Sequence, residues 1–162
     1  MKLRPLTAAD AAAIAAWPAY PVEFAELDYA LRSDGWLSEF SSQPATRLFA
    51  AELAGELIAF SLLVPDGAGA AEFRLALHPA WLGCGWGGKI AAATLQAGFA
   101  EMGLRRVDLV VRRNNPRARA LYRHLGFVEG GECCLTVNGQ PTDFYRMQLE
   151  LQKSMRPLSP IS

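Results

Sequence analysis

Histidine and cysteine are scarce. There are two histidines, His78 and His124, and three cysteines, Cys84, Cys133 and Cys134, in 162 residues. Two of the cysteines are adjacent and the third stands among glycines, so neither a disulfide framework nor a zinc spacing can be laid out. No metal site is expected. Neither charge is in excess: Lys+Arg and Asp+Glu number 16 each. A general nucleic-acid or membrane-surface binder needs a basic excess, so neither partner is expected. No apolar run has the length of a membrane span. The first residues, MKLRPLTAAD, turn polar too soon for a secretory signal. The expectation is a reduced, cytoplasmic protein without a structural metal.

The chain has enough apolar residues to fold, with 51% hydrophobic and 10% aromatic. Lys2 to Leu6 suits a first strand. Thr7 and Asp10 resemble a capping box opening an Ala-rich helix that ends near Trp17 and Pro18. A second helix is predicted over Val22 to Leu31, in a stretch from Tyr20 to Glu39 rich in aromatics and acids, and Gly35 breaks it. Arg47–Leu53 and Glu56–Val64 read as a hairpin about Ala54-Gly55. Residues 65–70 read as a loop. Glu72 to Leu77 alternates, with Phe73, Leu75 and Leu77 on one face and Glu72, Arg74 and Ala76 on the other. Val107–Val111 is a further strand. Asn115 and Pro116 open a helix as N-cap and first-turn residue, and Gly126 ends it. Phe127–Val137 and Thr142–Leu151 form a hairpin about Asn138-Gly139. With strands and helices mixed and a strand–loop–helix–strand unit in the middle, the class is α+β, of α/β type. Residues 1–151 read as one domain and 152–162 as a loose tail.

One stretch organises the rest: LALHPAWLGCGWGGKIAAATLQAGF, from Leu75 to Phe99. A strand stops at Pro79, a loop holds Gly83, Gly85, Gly87 and Gly88, and a helix follows until Gly103 that is apolar nearly all round and so expected to be buried. Glycines let backbone approach a ligand closely. The first turn of a helix offers unpaired N–H groups and a partial positive charge. Together they suit a phosphate or pyrophosphate. A tight connection without a ligand is the alternative. No Gly-Lys-Ser/Thr follows the loop, which speaks against a phosphate-loop nucleotidase.

LALHPAWLGCGWGGKI resembles the acyl-CoA loop of the GNAT superfamily of N-acyltransferases, where a strand ends in Val/Leu-His-Pro and an Arg/Gln-Gly-x-Gly-x-Gly/Ala loop opens a helix. NNPRARALYRHLGF is similar to that family's Asn-x-x-Ala-x-x-Leu-Tyr-x-x-x-Gly-Phe block, matched from Asn115 to Phe127. Both blocks stand in the family's order, and the resemblance covers residues 1–150. It implies a GNAT-like fold: a mixed, splayed central sheet of about seven strands flanked by helices. It implies acetyl-CoA as cosubstrate, direct acetyl transfer to a primary amine of a small molecule or a protein, and homodimers as a common assembly. A non-catalytic acyl-CoA-binding or regulatory module on the same fold is the alternative.

The resemblance also implies site residues. The pantetheine arm pairs with the strand edge at Leu75, Ala76 and Leu77, and a main-chain N–H near Leu77 holds the oxyanion. The pyrophosphate rests on the backbone of Leu82, Gly83, Cys84, Gly85, Trp86, Gly87 and Gly88. Leu82 departs from the family's Arg or Gln and can donate no side-chain hydrogen bond. Lys89, or an arginine among Arg112, Arg113, Arg117 and Arg119, is then expected to supply charge, with a solvated helix face as the alternative. Asn115 adds a cofactor contact to its cap. Tyr122, two helical turns on and on the same face, is the acid for the departing thiolate, or simply a packed ring. Glu72 is the first candidate for the base that deprotonates the amine, acting through water, or it is an ordinary strand glutamate paired with Arg74. Asp143 and Glu23 are weaker candidates. His78, His124, Cys84, Cys133 and Cys134 are expected to stay outside the chemistry. The family places the acidic, aromatic stretch on the acceptor side, where it would attract an ammonium.

Overall fold

A computed structural model describes residues 1–32, 35–41, 43–137 and 139–151, without the side chains of 25–28 and 41. The elements are β1 (Lys2–Pro5), α1 (Ala8–Ala15), a 3-10 helix (Val22–Leu31), α2 (Trp36–Ser41), β2 (Arg47–Leu53), β3 (Glu56–Pro65) and β4 (Ala70–Leu77). A short 3-10 turn (Pro79–Trp81), α3 (Trp86–Glu101), β5 (Arg106–Arg112), α4 (Pro116–His124), β6 (Val128–Val137) and β7 (Gln140–Glu150) complete it. Among the described residues the strands form one open mixed sheet in the order β1-β2-β3-β4-β5-β7-β6, with four α-helices, as the fold class requires. No described helix is long and apolar enough to cross a membrane.

The chain falls into two compact units. The first comprises Met1–Val64 and Arg74–Thr94, the second Pro65–Phe73 and the chain from Leu95 onward. In the first, Thr7 caps α1 as a full capping box with Asp10. Asp10 also takes both ends of the Arg4 guanidinium, at 2.6 and 2.9 Å, which ties α1 to β1. Those bonds hold the Asp10 carboxyl down at about 2. The β2–β3 turn has Ala54 at φ 52 and Gly55 at φ 84, the two positive φ values of a tight primed turn. Strand alternation sends β4 side chains to two apolar clusters. Ala76 is buried with Ile14, Phe40, Phe60 and Leu62, whereas Leu75 and Leu77 pack against Ala51, Ile58, Ala59 and Ile90. A fully buried pair, Ser61 and Thr94, shares a hydrogen bond of 2.7 Å, and Thr94 also donates to Ile90 O. Two buried hydroxyls thereby satisfy each other.

In the second unit β4 runs parallel to β5 over three pairs, Ala70↔Arg106, Ala71↔Val107 and Glu72↔Asp108. The ladder ends there, although β4 continues to Leu77 and β5 to Arg112. β7 pairs antiparallel with β5 and β6. Phe73, Val107, Leu109, Phe127, Met147 and Leu149 are buried.

Several expectations are corrected. Gly87 and Gly88 belong to the first turn of α3, not to the loop, because the helix starts at Trp86. The segment Val22–Leu31 is a 3-10 helix with a kink at Phe24 (φ −121, ψ 16) rather than one α-helix. α3 is not buried all round: Lys89, Ala92, Gln96 and Ala100 form one exposed stripe. α2 was not legible at all. Gly139 has φ 76, as its turn demands. Asn138, Asp34 and the tail 152–162 lie outside the described residues.

Candidate active site

β4, the loop and α3 follow one another in the first unit. His78 opens the loop as a cap, its Nδ1 accepting from Ala80 N at 3.0 Å. Gly83 and Gly85 have φ 74 and 84, a region that glycine adopts without cost. A Cβ built at Gly85 would meet no atom within 4 Å. The space before the first turn of α3 is therefore open, and the N–H groups of that turn have no intrahelical partner. Cys84 is exposed, with its Sγ 3.7 Å from Leu82 O. Lys89 is exposed and its Nζ lies 4.6 Å from the centroid of the Trp86 ring. Leu82 packs on the cluster of Ile14, Phe60 and Ala76. Its side chain serves the core, which is why an apolar residue stands at that position.

At the end of β4 the backbone is turned in a defined way. The His78 N–H donates to Ile58 O of β3 at 2.8 Å. Among the described residues no peptide bond is cis, so the Leu77 carbonyl on the other side of that peptide points away from β3. The buried Tyr20 hydroxyl donates to this carbonyl at 2.6 Å. The Leu77 N–H faces the same way as its carbonyl, as in any strand. The His78 amide is committed to β3, so Leu77 supplies the outward N–H at the strand end.

Three residues earlier, Arg74 meets the aromatic, acidic stretch. Its guanidinium lies 5.3 Å from the Trp36 ring centroid and 4.7 Å from that of Phe40. Its Nη1 is 3.7 Å from Glu39 Oε2, which also accepts from the Tyr29 hydroxyl at 3.2 Å. Two ring faces and a carboxylate thus meet one cation, and a phenol bonds the carboxylate. Gly35 makes this possible: a Cβ there would stand 1.8 Å from Tyr29 O. The motif reading missed this cluster and Tyr20. The only signal was compositional, the aromatics and acids between residues 20 and 39.

The second unit carries Glu72, Asn115, Arg119 and Tyr122. Tyr122 packs edge-on against Phe73 and Phe127, with centroids at 6.2 and 5.7 Å. Its hydroxyl has no hydrogen-bond partner among the described residues. The residue keeps some exposure as a whole, yet loss of water around the phenol pushes its pKa up to about 12. Asn115 caps α4, its Oδ1 accepting from Ala118 N at 3.1 Å, which leaves its amide N–H donors for another partner. Glu72 stands in register with Asp108, which Arg106 bridges at 3.0 Å. Structure thus places Tyr122 against the residue that follows Glu72 in β4.

The arginines are mostly committed. Arg119 is bidentate to Glu129 at 2.6 and 2.7 Å and lies 3.8 Å from the Tyr145 ring centroid. Arg123 also bonds Glu129, and the two guanidinium groups hold that carboxyl down at about 2. Arg113 stacks on Tyr145 and approaches Glu132 and Asp143 at 3.8 and 3.9 Å. Arg112 lies over Phe144 at 5.6 Å. Arg117 is exposed and, among the described residues, forms no ion pair. Glu23 and His124 are exposed on helices; Cys133 and Cys134 lie in β6. Among the described residues no group of three His, Cys, Asp or Glu side chains could hold a metal ion.

Three kinds of comparison agree on the relatives. Residues 10–127 match the acetyltransferase (GNAT) family. Spermidine N(1)-acetyltransferase of Escherichia coli (strain K12) is 33% identical over 79 residues, which is 48% of this chain and 42% of that protein. The aligned part is thus less than half of the curated relative's length. Among solved structures, a chimera of the Vibrio cholerae spermidine N-acetyltransferase SpeG with hSSAT is 28% identical, with a TM-score of 0.70 over 92% of this chain and 94% of that one. A second such chimera is 26% identical, with a TM-score of 0.73 over 93% and 96%. With the strand order, the glycine loop opening α3 and the Asn115-capped helix carrying Tyr122 already in place, the chain belongs to the acetyltransferase (GNAT) family.

Proposed function

We propose that the chain is an N-acetyltransferase that moves the acetyl group of acetyl-CoA to a primary amine. The observation that carries this reading is the continuous β4–loop–α3 segment. It offers an outward Leu77 peptide, two glycines at positive φ and open space before a helix N-terminus. That set fits a thioester-linked pyrophosphate carrier. Main-chain N–H groups of the loop and first helical turn, from Gly83 to Gly88, would hold the phosphates, the edge at Leu75 to Leu77 the pantetheine arm, and Asn115 a further polar group. The cosubstrate supplies an activated acyl group and a thiol leaving group. Arg119 contributes little charge there, because Glu129 neutralises it. Lys89 and Arg117 are the cations the reading retains.

In this reading each side chain has one task. Glu72, through a water molecule, takes the proton that the ammonium of the acceptor must lose before attack. The Leu77 N–H donates to the carbonyl oxygen as it gains charge. Tyr20 holds the Leu77 carbonyl, which restricts rotation at the residue whose N–H is the donor. Tyr122 Oη holds a proton toward the departing sulfur. The stretch from Tyr20 to Phe40 lines the acceptor side. The relatives named for spermidine support an aliphatic amine that is cationic in water. Three free cysteines suit a reducing compartment such as the cytoplasm.

An acceptor-library screen with detection of free thiol tests the reading, using purified protein and acetyl-CoA. Thiol release that depends on a primary amine is expected. A protein that binds acetyl-CoA yet transfers to no amine in a broad library would instead be a binding module on this fold.

A further inference from the structure

The cluster around Arg74 is a cation site whose occupant is the chain's own arginine. Trp36 and Phe40 present ring faces at 5.3 and 4.7 Å, Glu39 stands at 3.7 Å, and the Tyr29 hydroxyl holds Glu39 in place. Ring quadrupoles and a carboxylate attract any cation, so this set would also take an alkylammonium. Arg74 lies on β4, three residues before Leu77, whose carbonyl takes the Tyr20 hydroxyl. Its guanidinium is held there by packing: the side chain is only 23% exposed. A guanidinium in this position both fills the site and repels a second positive charge.

We propose that Arg74 is a specificity-determining residue that turns the acceptor site away from diamines and polyamines and toward amines with a single charge. The inference rests on the reading that the Tyr20 to Phe40 stretch lines the acceptor side. The reacting nitrogen must be neutral when it attacks, so the charge that matters is a distal ammonium. In a site with Glu39 and both rings unoccupied, that ammonium would gain a carboxylate and two ring faces. Here it meets a neutralised carboxylate and a like charge. The chain therefore differs in selectivity from the spermidine-named enzymes it resembles.

The test uses the full chain saturated with CoA, which cannot acetylate, and two amines of equal carbon length, pentylamine and cadaverine. Calorimetry gives both dissociation constants. In the unaltered protein cadaverine should bind no better than pentylamine beyond the statistical factor of its two ends. In Arg74→Met, which keeps apolar bulk without charge, cadaverine should bind about tenfold tighter while pentylamine stays within about twofold. Arg74→Lys should keep the original ratio, and Arg74→Met combined with Glu39→Gln should lose the gain. If Arg74→Met does not fold by circular dichroism, Arg74→Gln carries the same expectation. An unchanged ratio in the folded neutral variant would overturn the proposal. Turnover is measured separately with acetyl-CoA: its absence would sink the transferase reading, while the binding ratio still judges Arg74.

Discussion

Replacing Tyr122 by Phe removes one hydroxyl and keeps the ring. The ring contacts with Phe73 and Phe127, at 6.2 and 5.7 Å, do not need the oxygen. The hydroxyl makes no hydrogen bond among the described residues, so stability should change by less than about 0.5 kcal/mol. The catalytic effect follows from acidity. Burial puts the phenol at about 12, against ~8.5 for an ordinary thiol, so complete proton transfer to a thiolate is uphill by about 3.5 pH units, or roughly 5 kcal/mol. Tyr122 is therefore better suited to donate a hydrogen bond as sulfur gains charge than to surrender its proton first. A hydrogen bond to a charged partner is worth about 1.5–3 kcal/mol, which is about 10- to 150-fold in rate. The loss should fall on kcat, because the sulfur carries charge only as the bond breaks. KM for acetyl-CoA should stay within a fewfold. The assay is single-turnover thiol release at saturating amine, across pH. The alkaline side of the profile should be the same in both proteins, since the phenol stays protonated up to about 12. Near-full turnover in Tyr122→Phe with chemistry rate-limiting would refute the role. An alkaline fall near pH ~9.5 that vanishes in the variant would refute the burial argument, because it would mean the phenol titrates near its ordinary value.

Gly85→Val should weaken CoA binding at least about tenfold by calorimetry, since its side chain enters open space before α3, at a strain cost of roughly 1–2 kcal/mol for φ 84. Gly55→Val, at the same φ and equally open, is the control: similar strain with unchanged CoA affinity. Leu82→Arg should lower stability by about 1–3 kcal/mol in denaturant without tightening CoA, because Leu82 packs on the core; tighter CoA at unchanged stability would mean the arginine swings outward to the phosphates. Acid should unlock α1. The Asp10 carboxyl is lowered from 3.8 to about 2, so its stabilisation is complete above about 4 and is lost as pH falls toward 2. Asp10→Asn should therefore remove roughly 1–2 kcal/mol of stability at neutral pH and flatten the acid limb of a denaturation series; an unchanged acid limb would remove Asp10 from it.

Local signals carried much of the architecture. Capping by Thr7 and Asp10, the Asn115-Pro116 helix start and the Ala54-Gly55 turn each depend on residues within a few positions of one another. Their backbone preferences are set before any packing, so they are legible in a string of letters. The glycine loop was legible for the same reason, although its boundary was not: Gly87 and Gly88 tolerate a helix once Trp86 is anchored on the apolar cluster beneath it. Arg119 read as a free cation because Glu129 and Tyr145 reach it only through the pairing of β6 and β7.

The sequence by itself determined the strands, the capped helices α1 and α4 and the presence of the phosphate-type loop, because periodicity and turn chemistry are short-range; α2 and the start of α3 it did not. Tertiary structure alone decided what those elements offer to a ligand. Tyr20 finds the Leu77 carbonyl 57 residues away, and Glu39 and Trp36 meet Arg74 although the β2–β3 hairpin separates them in sequence. Leu82 turns inward because an apolar cluster is there to receive it. Such contacts depend on how buried surfaces close over one another, and no spacing along the chain encodes that.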